Sequence, residues 1–383
     1  MGRVEKRILT GLPSVHWSWI AVVALAMCLP SAALPAVEST PVQCRIRFMP
    51  PSLDFEFRFF TGFTAGIPVR ELIGDARVTG IRLTVTPLSI EAAKPMVLDH
   101  TLEIGPIPDH FKGEAQLRGS FVVGEGRYHV RWDLQDALGH FCSVEWEVEA
   151  KLAKSQKDLA VSMRPGEMGD SRVYLFRPEA SVIDPTTRPL DIKVFLNFDV
   201  WRRRESAVRV RLWEYSRRIA TLRALARNPR IGKISLIVYS LEEQEVFYRH
   251  GLQDSIDFAP MEEAIEKLSP AFVAFEQLGQ HKERDFFGEV LLAETRNEDV
   301  DALVFIGPDF QFGKRLSKDD EMLLRRTPAP AFYFKTNGGP WKGLVGRAIK
   351  AMRGQEIAIY SPGRLAKAVE RVVEGLDAGK YAN

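Results

Sequence analysis

Ile192-Lys193-Val194-Phe195-Leu196-Asn197-Phe198 is a short and nearly continuous apolar run. A strand of this kind suits a parallel sheet whose two faces are both covered by helices. The chain that follows repeats the same theme. Val208, Leu212, Tyr215, Ile219, Leu222 and Leu225 fall at helical spacing. A second apolar strand, Ile234 to Tyr239, is followed within a few residues by Glu245-Val246-Phe247-Tyr248. A connection that short permits only a hairpin, so the 245–248 strand runs antiparallel to its neighbour. Glu283 to Glu294 is helical and leads into Ala302 to Ile306. A short helix, the strand Ala331 to Phe334, a helix marked by Leu344, Val345, Ala348, Ile349 and Met352, and the strand Ile357 to Tyr360 complete the alternation. Ser361 caps a final helix with Pro362 in its first turn. Residues 190–379 are thus predicted to form an α/β doubly wound, mostly parallel six-stranded sheet of the Rossmann-like kind.

Upstream, the period changes. Residues 151–189 lose the alternation, keep one short apolar run at Val173 to Phe176, and read as a partly ordered linker rich in Lys, Ser, Met, Gly and Pro. Residues 40–150 alternate with the period of a strand. Leu53, Phe55, Phe57 and Phe59 interleave with Asp54, Glu56 and Arg58. Ile81, Leu83 and Val85 do the same with Arg82 and Thr84, as do Tyr128 to Leu134 and Cys142 to Val148 with their polar neighbours. Each run places apolar residues on one face and polar residues on the other, which predicts an N-terminal antiparallel β-sandwich of the Ig-like kind. Its aromatics share a face with Leu, Ile and Val, so they read as core and not as a carbohydrate platform.

The first 33 residues have the pattern of a secretory signal. Arg3, Lys6 and Arg7 precede the apolar stretch Ile20 to Leu29, and Ser31-Ala32-Ala33 fits a cleavage site. About ten apolar residues are too few for a stable span, which needs roughly 20. The alternative is an N-terminal anchor that stays attached. Cleavage removes one acidic and three basic residues and leaves 49 of each sign. A neutral chain offers no bulk field for nucleic acid. The expected location is therefore periplasmic or extracellular, with no stable membrane span. Cys28 leaves with the signal. Cys44, in phase with Ile46 and Phe48, and Cys142 remain as a candidate disulfide, against the alternative of two buried thiols.

The order of elements from Leu190 to Gly379 resembles a von Willebrand factor type A (VWA) domain. An export signal and a sandwich in front of it resemble bacterial secreted proteins related to that domain. The resemblance implies a divalent cation at the open end of the sheet, held by an Asp-x-Ser-x-Ser loop, a Thr and a later Asp. Here the loop begins at Asp199, but Trp201 and Arg203 stand where hydroxyls are needed. Counting from Asn197 places Asp199 and Trp201 there instead. Gln280 to Gly288 holds no Thr or Ser, and Ile306 stands in place of the later Asp, with Asp309 three residues on. The cation site reads as lost, and no metal or cofactor is expected.

Trp201, Arg202 and Arg203, with Asp309, still fall where open sheets bind ligands. Aromatic and arginine residues often anchor protein interfaces, so these four are candidate partner-binding residues; the plainer reading is a solvated loop. No nucleophile elbow, zinc helix or phosphate loop is present, and the six histidines beyond the signal are scattered. The expectation is an exported, non-enzymatic module that binds other proteins. The alternatives are a hydrolase with a carboxylate site between its domains and a structural envelope component.

Overall fold

The computed structural model describes residues 40–71, 77–90, 93–108, 110, 112–136, 138–171, 176–177, 184, 186–199, 212–266, 283–295, 299–309, 315–336 and 342–379. The signal-like segment lies outside them, as do Trp201, Arg202 and Arg203.

The first half is built from strands β1 (Thr40–Pro41), β2 (Arg45–Leu53), β3 (Phe59–Pro68), β4 (Arg77–Pro87), β5 (Met96–Ile104), β6 (Glu114–Val123), β7 (Gly126–Asp136), β8 (His140–Ala150) and β9 (Met168–Asp170). They make two sheets, ordered β1-β8-β7-β4-β5 and β2-β3-β6-β9. Every pairing is antiparallel except the short β1–β8 contact. Alternate residues of both sheets meet in one core around Trp132, Tyr128, Phe121, Phe63 and Val85. The strand alternation predicted Trp132, Tyr128 and Val85 of this inward set, and each fully buried large apolar side chain contributes about 1.5–3 kcal/mol. Cys44 and Cys142 form a disulfide, with their Cα atoms 6.4 Å apart, that ties the start of β2 to β8 in the facing sheet.

The second half runs β10 (Leu190–Asn197), α1 (Leu212–Ala226), β11 (Ile231–Ser240), β12 (Glu245–Gln253), α2 (Ala259–Glu266), α3 (Glu283–Thr295), β13 (Ala302–Gly307), α4 (Lys318–Leu324), β14 (Ala331–Lys335), α5 (Leu344–Ala351), β15 (Gln355–Ala358) and α6 (Pro362–Asp377). The sheet order is β12-β11-β10-β13-β14-β15, parallel throughout except for β12. Both faces are covered. Ile192, Val194 and Leu196 pack with α1 and α6, whereas Phe195 packs with α3 and α5 on the other side. Lys193 lies in the same buried run and is almost fully covered. Its Nζ donates to the Glu294 carbonyl at 2.9 Å and to Glu294 Oε2 at 2.8 Å, so its charge is compensated. Ser361 caps α6 as its sequence implies, accepting from the Arg364 amide.

Three features depart from the sequence reading. Leu53 to Phe59 is not one strand. The run breaks at a turn in which Asp54 Oδ1 accepts the amides of Glu56 and Arg58, both at 2.9 Å, and Phe57 takes a positive φ of 60°. Helix α2 was not expected between β12 and α3, whereas the partly ordered connector contributes β9, Met168–Asp170, to the second sandwich sheet beside β6. The last strand begins two residues earlier than its apolar residues suggest.

The Asp54–Arg58 turn joins the halves. Phe55 and Phe57 pack against the α1 side of the α/β core. Arg217 of α1 lies over the Phe55 ring at 4.8 Å. Glu56, 3% exposed, faces Arg58 at 3.3 Å and Arg223 of α1 at 3.8 Å. Arg223 also donates to the Arg177 carbonyl and stacks 4.4 Å from the Phe258 ring centre. From Ser39 onward the chain forms one compact unit.

Candidate functional site at the carboxyl edge of the parallel sheet

Open parallel sheets bind ligands beyond the carboxyl ends of their strands. Here β10 and β13 are neighbours, and their ends come unusually close. Gly307 has φ +147°, and a Cβ there would stand 2.7 Å from Asn197 Cβ and 2.9 Å from the Asn197 carbonyl. Only glycine fits that approach. Asn197 then ties the edge together, accepting the Asp199 amide at 2.8 Å and donating to the Pro308 carbonyl.

Asp199 follows β10 and is 2% exposed. Its Oδ1 accepts from Ser240 Oγ at 2.6 Å and from the Glu242 amide at 3.1 Å, both at the end of β11. Its Oδ2 is buried with no hydrogen-bond partner among the described residues. Arg218 of α1 donates to the Asp199 carbonyl at 2.6 Å and lies beside the rings of Phe198 and Tyr215. Burial pushes the Asp199 carboxyl above the usual range, against the opposing pull of Ser240, Glu242, Asn197 and Arg218.

Asp309 sits beyond β13 and is equally covered. Its Oδ2 accepts the Gly343 amide at 2.9 Å, and its Oδ1 accepts the Gly346 amide at 3.4 Å. Gly343 is the N-cap of α5 and Gly346 lies in its first turn, so the carboxylate occupies the positive end of that helix. A Cβ at Gly346 would meet Asp309 Oδ2 at 2.6 Å, so a side chain there would push the carboxylate aside. Lys335 Nζ lies 4.0 Å from Asp309 and 3.3 Å from Glu356. Desolvation again raises the carboxyl, partly offset by the two amides and Lys335. Beneath both acids lie Tyr239 and Tyr333, whose hydroxyls burial pushes well above their ordinary range.

Asp309, one of the four candidate partner-binding residues, is turned inward and is 3% exposed. Of the residues singled out from the sequence, Asp199 and Asp309 lie near the ends of adjacent strands, while the Trp201–Arg203 loop is outside the described residues. Ser240, Arg218 and Lys335 belong to the same edge and were not anticipated. Ser240 and Lys335 are the last residues of β11 and β14, a position the sequence marks only as a strand end. Among the described residues, no group of three or more His, Cys, Asp or Glu side chains is placed to hold a metal ion.

The opposite edge of the sheet carries a cleft of about 210 Å³ lined by Glu294, Asp299, Asp301, Thr327 and neighbouring prolines. Its acids are partly engaged. Glu294 pairs with Lys193 and Arg249, and Asp301 accepts from Arg188 and the Asp191 amide. Although burial works against it, the Lys193 and Arg249 contacts hold the Glu294 carboxyl below its usual value.

No family model matches the chain, and no curated protein matches it. Among solved structures, a protein from Archaeoglobus fulgidus is 10% identical at a TM-score of 0.19, over 29% of this chain and 98% of that one. A beta-glucosidase from Kluyveromyces marxianus in complex with glucose is 8% identical at 0.14, over 29% of this chain and 15% of that one. A beta-glucuronidase from Bacteroides uniformis is 7% identical at 0.19, over 83% of this chain and 39% of that one. Likenesses at these TM-scores carry no argument about what this chain does. The features that bear on its function are its own multi-sheet architecture, its disulfide and the absence, among the described residues, of a helix long and apolar enough to cross a membrane.

Proposed function

We propose that this protein is an exported, non-enzymatic module that binds other proteins, built from a β-sandwich and a VWA-like domain without a working cation site. The observation that carries the reading is the way Asp199 and Asp309 are bonded. Asp199 accepts from Ser240 and the Glu242 amide through Oδ1, and both oxygens of Asp309 accept amides at the start of α5, so each carboxylate is tied into closing the sheet edge. The β12-β11-β10-β13-β14-β15 order, with only β12 antiparallel, supports the VWA likeness. The disulfide is compatible with export to an oxidising compartment. Protein binding then falls to the surface around that edge.

The test is thermal unfolding in EDTA and then in millimolar Mg²⁺, Ca²⁺ or Mn²⁺. A cation at 100 times its dissociation constant would stabilise the fold by about 2.7 kcal/mol, a shift of several degrees. The expected result is no shift. A shift abolished by Asp199→Ala would overturn the reading and make cation-dependent adhesion the leading function. Turnover on ester, phosphate or glycoside panels would overturn it in favour of a hydrolase.

A further inference from the structure

Among the described residues, three sheets end in six edge strands: β1, β5, β2, β9, β12 and β15. Exposed edges invite pairing with other chains, and proteins usually blunt them. Five are blunted here. β1 has two residues, one of them Pro41; β9 has three and β15 has four. β2 contains Pro50 and Pro51 and a register break between Met49 and Ser52. β12 breaks register twice against β11. Only β5 has none of these devices. Its nine residues pair with β4 in unbroken register from Met96 to Ile104, without proline, and among the described residues no strand is hydrogen-bonded to its other edge, with β9 of the facing sheet nearby. Exposed Leu88, Ile90 and Val97 lie on this strand and the connection leading to it.

The sequence of β5 is also nearly symmetric about its centre. Met96, Leu98 and Ile104 pack toward the sandwich core, and His100 pairs with Ile81 of β4, itself core-facing. Antiparallel pairing of the strand with itself about His100 sets Met96 opposite Ile104 and Leu98 opposite Leu102. On the outer face, Asp99 meets Thr101 and Val97 meets Glu103. No acid then stands directly opposite an acid, and Arg82 already holds Asp99 through hydrogen bonds of 2.7 and 3.1 Å. Centring the pair on Asp99 would oppose two aspartates, and centring it on Thr101 would set Asp99 against Glu103. Those like-charge pairs are unfavourable.

We propose that the protein self-associates through β5, which pairs antiparallel with β5 of a second copy about a two-fold axis at His100. The contact is isologous, joining two five-stranded sheets into one of ten through about eight to ten backbone hydrogen bonds. The contact is small, so the dimer forms at micromolar or higher concentration.

Sedimentation of the purified protein across roughly 1 to 300 µM tests this. The expected result is a weight-average mass rising toward twice that of the monomer, with His100→Asp weakening association by about tenfold or more while circular dichroism stays unchanged. His100→Cys supplies the register test. Opposed residues on the axis lie within disulfide reach, so oxidation by copper–phenanthroline should cross-link His100→Cys dimers but not Thr101→Cys dimers. Amide exchange over residues 96–104 should slow as concentration rises. A protein that stays monomeric throughout overturns the proposal, as does a dimer indifferent to His100→Asp. So do β5 amides already protected at low concentration, which would mean the chain's own residues cover the edge.

Discussion

At the residue scale, the carboxyl edge depends on two buried acids and two glycines. A carboxyl whose folded pKa is raised binds its proton more tightly in the native state than in the unfolded state. Its contribution therefore favours folding at low pH and is lost as pH rises from the unfolded value of about 4 through the raised native value. Burial places Asp199 in this class, with Glu56 and Asp309. Asp199→Asn, measured by urea unfolding at pH 4, 5.5 and 7, should leave a shallower decline between pH 4 and 7 than wild type. The decline will not vanish, because Glu56 and Asp309 titrate in the same direction. Gly307→Ala should cost about 2 kcal/mol or more, since the new Cβ meets Asn197 in a backbone conformation that L-residues avoid. A denaturation midpoint within 0.5 kcal/mol of wild type would contradict that account. Asp199 and Asp309 could be found by counting along strand ends. Ser240 and Lys335 could not be ranked, because one sequence says where strands stop but not which ends meet.

At the scale of elements, periodicity located the α/β half well, since long apolar strands and stripes of helical spacing are strong signals. It failed at Leu53–Phe59, where polar and apolar residues alternate for another reason. Phe55 and Phe57 face the α/β core, and Glu56 and Arg58 are buried among charges from α1. Burial of both kinds of residue cannot be read from alternation, which marks only that neighbours point in opposite directions. β9 was hidden because three residues are too few to show a period. The Arg223 contact makes a sharp prediction. Removing one partner of a buried pair strands the other, at a cost of about 3–5 kcal/mol. Arg223→Ala should show that loss in chemical unfolding, and adding Glu56→Gln should recover part of it. A double variant no more stable than Arg223→Ala would mean that Glu56 does not sense Arg223.

For the whole molecule, the disulfide spans 98 residues and should stabilise the fold by about 4.7 kcal/mol in the chain-entropy model. The Cys44→Ser/Cys142→Ser variant, or the wild type in reductant, should melt several degrees lower, and intact mass should show the loss of two hydrogens. Two alkylatable thiols in the native protein would refute the bridge. The pairing was legible because both cysteines fall on inward phases of a strand pattern. The joint between the halves was not, because it rests on a turn, a connector and a helix face far apart in sequence.

That joint also bears on descent. Gly124 lies so close to the Arg164 carbonyl that any side chain would collide, and Ser162 donates to the carbonyl of Glu56, whose side chain meets Arg223 of α1. The sandwich, the segment after it and α1 therefore hold one another in place through shared atoms. A recombination event that exchanged either half for an unrelated one would strand a buried glutamate and two phenylalanines at once. The two halves are expected to have been inherited together, their changes across the joint appearing in pairs, and not passed between genes as separate cassettes.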